Sequence, residues 1–186
     1  MITKWYRILK SLRSGGYQSS TFPTKSVKEI GGTSRTIASS GGCATNYPIM
    51  SGKVFPNVYV SGSQDMEISS IGIFIGSGNT PATDEDYVLE NPLTSSSVSR
   101  TSSTPGASAI LDDGGNIIGV RRTVTYQNIT NSNITVSEIG TYWRTPEYTG
   151  TSSSNIYTFL IERTVLDTPI VLAPNDTITV AFDETY

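Results

Sequence analysis

The chain divides by the rhythm of its apolar positions. In residues 1–13, MITKWYRILKSLR, Trp5, Ile8, Leu9 and Leu12 stand at i, i+3, i+4 and i+7, the spacing of one apolar helix face. Lys4, Arg7, Lys10 and Arg13 surround that face, and Gly15-Gly16 ends the predicted helix. A helix this short is marginal alone in water. Trp5, Ile8, Leu9 and Leu12 are therefore the candidate face for docking on a partner. Residues 14–53 are rich in Ser, Thr and Gly without sustained periodicity, and they read as an extended arm rather than a packed layer.

From residue 54 the period turns to two. Strands are predicted at 54–60, 66–75, 117–126, 134–142, 156–163 and 177–182, rich in β-branched and aromatic residues. Pro56 marks an edge or a strand start. Asp112-Asp-Gly-Gly-Asn116 carries the residues of a hairpin turn, and Asp167-Thr-Pro169 and Pro174-Asn-Asp176 are predicted as turns between strands. Ile68-Ser-Ser-Ile-Gly-Ile-Phe74 and Val136-Ser-Glu-Ile-Gly-Thr-Tyr142 share one pattern. That echo reads either as two strands with equivalent roles in opposite sheets or as coincidence in a small alphabet. Many short punctuated strands predict an all-β body, an antiparallel β-sandwich or jelly-roll-like barrel. The organisation is then a short N-terminal helix and extended arm over 1–53 and a β domain over 54–186.

Composition narrows the chemistry. The 186 residues contain no histidine, which removes the usual general base and the commonest metal ligand and with them most hydrolase mechanisms. The single Cys43 allows no internal disulfide. No apolar run has the length of a membrane span, and no export signal is recognisable at the N-terminus. The three sequons at Asn128, Asn133 and Asn175 are accordingly read as products of Asn- and Thr-rich composition. The net charge is −3, yet residues 1–16 hold four bases and no acid, leaving nine of the thirteen bases against all sixteen acids. A basic arm on an acidic body points to an arm that touches something the body does not. Four charges are few for nucleic-acid affinity.

Three constellations were candidates for more than packing. Asp84-Glu-Asp86 groups acids in a turn without the spacing of a calcium loop, and solvated turn acids are the plainer reading. Glu138 and Glu162 lie on predicted strands and could form a carboxylate pair, although a strand Glu is ordinarily on the wet face. Tyr142, Trp143 and Tyr148 flank a polar loop, a combination suited to a ligand or subunit contact, with core or edge packing as the commoner fate. No catalytic residue, metal site or cofactor is expected.

Three ordered blocks carry a resemblance. Residues 72–90, GIFIGSGNTPATDEDYVLE, are similar to a G-x-G-x-T-x-x-T-x-x-D-Y-x-L-E segment, and residues 128–140, NITNSNITVSEIG, to an N-x-T-x-x-x-I-T-V-x-E-I-G hairpin. Residues 159–176 resemble an ending of the form L-x-x-R-x-V-L-D-T-P followed by an apolar strand and P-G-[ED], with Asn175 where Gly is usual. These blocks resemble small β-sandwich virion structural proteins of tailed bacteriophages. The resemblance covers about residues 71–182, and the first 53 residues have no counterpart. It implies a repeated, non-enzymatic assembly subunit (capsid-associated, head–tail or tail), forming homo-oligomers and touching other virion proteins. Such a subunit assembles in the host cytoplasm, resides in the virion, and binds no specific nucleic acid and no membrane. A receptor- or carbohydrate-binding fibre module using Tyr142, Trp143 and Tyr148 is the expectation from a different class.

Overall fold

The computed structural model describes residues 1, 3, 24–38, 72–102, 108–111, 114–146 and 156–185. Among these residues nine strands form, in order β1 (Thr24–Lys28), β2 (Ser34–Ala38), β3 (Gly72–Gly76), β4 (Val98–Ser102), β5 (Ser108–Leu111), β6 (Ile117–Asn128), β7 (Ile134–Pro146), β8 (Ile156–Leu172) and β9 (Thr177–Thr185). All pairings are antiparallel: β1-β2, β3-β7-β8, and a sheet centred on β6. On β6, β9 spans residues 119–127, so β4 and β5 share the other edge end to end. The all-β expectation stands, and there is no helix among the described residues. The proposed N-terminal helix with Trp5, Ile8, Leu9 and Leu12, most of the arm, and the predicted strand at 54–60 lie outside the described residues.

Period two explains the core. Val124 and Tyr126 of β6 and Val180 of β9 project inward, as do Ile73 and Ile75 of β3, Val136 of β7 and Leu172 of β8, so both larger sheets fill one core. The Tyr126 hydroxyl crosses that core to donate to the carbonyl of Ile73. On its opposite face the β3-β7-β8 sheet carries a second cluster of Phe74, Tyr142, Leu160 and the loop residue Leu89. Covered on both faces, β3 is buried throughout.

The echo between 68–74 and 136–142 has a physical basis different from the expected one. Its strands are neighbours in one sheet, not counterparts in opposite sheets. Antiparallel register sets Gly72 against Tyr142 and Phe74 against Gly140. Each aromatic residue is thus paired with a glycine, and the two rings meet edge to face with centroids 5.4 Å apart. At Gly140 a Cβ would lie 2.7 Å from Leu89 Cδ2, which explains the missing side chain.

Two expectations are corrected and one stands. Residues 24–38, expected as part of an extended arm, form a hairpin with Val27 buried; it docks through Ile30 N–H to the carbonyl of Thr158 at 3.0 Å. Lys28 and Arg35 also sit over the rings of Tyr87 and Tyr157, at 3.9 and 3.8 Å. Asp167-Thr-Pro169 is not a turn between strands. With Leu166 it makes a bulge inside β8, where Val136 pairs with Ile170 but Glu138 with Val165. β8 is the outer strand of its sheet, and bulges and edges are where a strand tolerates proline. The turn at 174–176 is present: Asp176 accepts from Ala173 N–H, and Asn175 has φ 68°. Asn is one of the few residues other than Gly that adopt this left-handed position readily.

Candidate functional site

The loop of residues 77–97 crosses the outer face of the β3-β7-β8 sheet, and Arg163 of β8 holds it there. The Arg163 side chain is almost wholly buried. Its Nε donates to Glu138 Oε2 at 2.8 Å and one terminal nitrogen to Asp86 Oδ2 at 2.9 Å. The other reaches the Thr80 carbonyl at 3.1 Å and Glu90 Oε2 at 3.3 Å. Glu138 is 0% exposed. Besides Arg163 it accepts main-chain N–H groups from Gly78 at 3.1 Å, Glu90 at 3.1 Å and Asn91 at 2.7 Å.

A bulge makes this convergence possible. Gly140 pairs with Arg163, Thr141 with Glu162 and Tyr142 with Leu160, which leaves Ile161 as an extra residue. Strict alternation would send residues 160 and 163 to opposite faces. The extra residue brings Leu160 beneath Leu89 and Arg163 into the ionic cluster on the same face.

The loop residues are fixed in turn. Thr80 donates its N–H and hydroxyl to the two Glu90 oxygens at 2.9 and 2.6 Å. Thr83 does the same for Asp86 at 3.0 and 2.8 Å. Leu89 N–H donates to the Tyr142 hydroxyl at 2.6 Å. Burial pushes the Asp86 carboxyl up, but the Thr83 N–H, Arg163 and the Thr83 hydroxyl outweigh it and hold the group below its ordinary 3.8. The Thr80 hydroxyl and N–H, aided by Arg163, hold Glu90 below its ordinary 4.5. Burial acts against the Arg163 charge, and Asp86 and Glu138 more than restore it.

The two glycines at the loop's entrance follow from this crowding. A Cβ on Gly76 would lie 2.5 Å from Glu138 Oε1 and 2.7 Å from the Asn91 carbonyl oxygen. One on Gly78 would lie 2.5 Å from Glu90 Cβ and 2.6 Å from Glu138 Oε1. Gly76→Ala is expected to destabilise by about 1–3 kcal/mol, because a main-chain oxygen cannot swing aside. Chemical denaturation checks this, with an unchanged midpoint as the contrary result.

Several candidate residues fall differently from expectation. Glu138 is not on the wet face. Glu162 is adjacent to Arg163 in the strand and points away from it, towards the Met1 nitrogen at 3.8 Å, so no Glu138–Glu162 pair assembles. Of Asp84-Glu-Asp86, Asp86 turns inward to Arg163. Among the described residues no group of acids and cysteines could hold a metal ion, and the cation at the centre of the cluster is a guanidinium. Tyr142, a candidate for a ligand or subunit contact with core or edge packing as the commoner fate, is 0% exposed and belongs to the core. The Trp143 side chain and Tyr148 lie outside the described residues.

Asn128 is also buried: its amide nitrogen donates to the carbonyls of Ser132 and Leu172, and its oxygen accepts from Thr130 N–H and hydroxyl. The Asn128-Ile-Thr130 sequon therefore pins the β6–β7 hairpin loop.

Gly76, Gly78, Thr80, Thr83, Asp86, Leu89, Glu90, Glu138, Gly140 and Arg163 all belong to this clamp or touch it, and all are motif positions of the three blocks. A network in which one buried arginine satisfies three acids, and the acids satisfy the main chain of one loop, fixes shape. Sequence reasoning missed it because Glu138 and Arg163 meet only through strand register, as diagonal neighbours on β7 and β8. The available signals were the Gly-x-Gly pair and the acids at 86 and 90. No family model, curated protein or solved structure matches this chain.

Proposed function

We propose that this chain is a bacteriophage virion structural protein, a repeated assembly subunit that is held in the particle by its N-terminal region. Its two larger sheets pack as a β-sandwich or jelly-roll-like body. The observation that carries the reading is the convergence of the three blocks on Arg163. The polar residues that carry the resemblance are spent on locking one loop to one sheet, as suits a scaffold that must keep its shape among neighbours. The buried Tyr142 takes away one of the three aromatics of the fibre-module alternative. Neighbours are other virion proteins and further copies of this chain.

The test is incorporation. Tagged full-length chain, expressed in cells that assemble the particle, is expected to co-sediment with purified particles at a fixed ratio. A chain lacking residues 1–16 is expected to stay at the top of the gradient while giving the cooperative unfolding transition of a folded body. Full-length chain that stays at the top overturns the reading, and incorporation of the truncated chain overturns the role of the N-terminal region.

A further inference from the structure

We propose that the outer edge of β8 at residues 160–163 is a strand-acceptor site, and that its occupant in the assembled state is the N-terminal segment of a second copy of this chain. This rests on the assembly reading above and names one of its contacts.

The site is built by the bulge. Among the described strands β8 is the outer one of its sheet, and such an edge can take up a further extended segment. The extra residue Ile161 brings two successive carbonyls, of Leu160 and Ile161, within reach of one hydroxyl. Thr3 supplies it: its Oγ1 lies 3.0 Å from the Leu160 oxygen and 3.1 Å from the Ile161 oxygen. Thr3 N–H also donates to the Ile161 carbonyl at 3.0 Å. Two residues on, Met1 and Arg163 exchange both main-chain hydrogen bonds, at 2.6 and 3.1 Å. Positions 1 and 3 thus pair antiparallel with 163 and 161, and Thr3 is 0% exposed.

Recognition here depends on strand geometry and one hydroxyl. Nothing in it requires the segment to come from the same chain, and every copy presents the same Met-x-Thr. Twenty residues separate Thr3 from β1, a tether that spans at most about 70 Å when extended. The hairpin that follows is anchored on the same strand, through Ile30 to Thr158. An identical segment from a neighbour competes for this edge when the local concentration of copies approaches the effective concentration of the chain's own segment, on the order of millimolar. Exchange of identical elements is a ready route to assembly, and high local concentration of copies favours it.

Two single-cysteine chains test this directly, both carrying Cys43→Ser. One has Thr3→Cys and the other Ile161→Cys, so a disulfide between these positions can form only between chains. Paired strand residues lie within bridging distance. Mixing the two chains under mild oxidation is expected to give a covalent mixed dimer on a non-reducing gel. Mixed chains that stay monomeric overturn the exchange. Should either cysteine chain fail to fold, light scattering on full-length chain and on Thr3→Pro, which lacks both the N–H and the hydroxyl, decides. The proposal expects a concentration-dependent oligomer for the first, and for the second a dissociation constant raised at least about tenfold. Equal oligomers in both, or monomers at every concentration, overturn it. Incorporation into particles is read separately, so the exchange can fail while the assembly function stands.

Discussion

Arg163→Met is expected to lower the unfolding free energy by about 3–5 kcal/mol, because removing one partner of a buried ion pair leaves the other uncompensated. For a chain of this size that corresponds to a melting temperature lower by about 6–20 °C. Glu138 stays buried and keeps its three main-chain donors from Gly78, Glu90 and Asn91. Asp86 and Glu90 would then face it without the cation that now lies between them. The same variant carries a pH signature. Asp86 and Glu90 sit below their ordinary 3.8 and 4.5 in the folded chain, so on acidification the unfolded chain takes up protons first. Their contribution is complete above about pH 5 and is lost as the pH falls through about 4 and below. Without Arg163 both carboxyls lose one of the groups that depress them. The acid-induced loss of stability is therefore expected to be shallower in the variant than in the parent. Thermal unfolding between pH 3 and 7 checks both parts, and parallel curves with equal midpoints would contradict them.

Tyr142→Ala is expected to destabilise by about 3–5 kcal/mol, the range for losing a buried aromatic side chain. The ring packs edge to face on Phe74, so its removal opens a cavity in a sheet covered on both sides. Tyr142→Phe keeps the ring and loses the hydroxyl that accepts from Leu89 N–H. An expected cost of about 1–3 kcal/mol follows from leaving that buried donor unpaired. Burial pushes the Tyr142 hydroxyl well above its ordinary 10.0. Its contribution is complete below about pH 10 and fades as alkali ionises the unfolded chain first. A surface tyrosine devoted to a ligand would give small losses in both variants. Urea denaturation of the pair separates the two roles.

How much of this was legible depended on where period two survives. β6 and β9 read cleanly because Val124, Tyr126, Ile178, Val180 and Phe182 alternate with threonine and alanine across a single buried face. β4 and β5 carried no predicted strand: Val98-Ser-Arg-Thr-Ser102 is mostly polar, and β5 has four residues. The 24–38 hairpin escaped because TKSVK and SRTIA hold few apolar residues, and docking rather than propensity supports it. The clamp lies further from view. Glu138 pairs with Val165 and Arg163 with Gly140, so the two meet as diagonal neighbours across β7 and β8, a contact that only the strand register creates. The sequence left Tyr142 open between a surface contact and core packing, because its cover comes from Leu89, far away in sequence. Bulges and long-range cover leave little trace in local pattern.

Arg163 and Glu138 act as one structural unit. The most direct test of this is a double-mutant cycle of Arg163→Met, Glu138→Gln and the combined variant, measured by urea denaturation at pH 7. A coupling energy of about 1–3 kcal/mol is predicted, with the double variant more stable than the sum of the single losses implies. Additive losses, with coupling near zero, would contradict the clamp and remove the observation on which the structural-subunit reading rests.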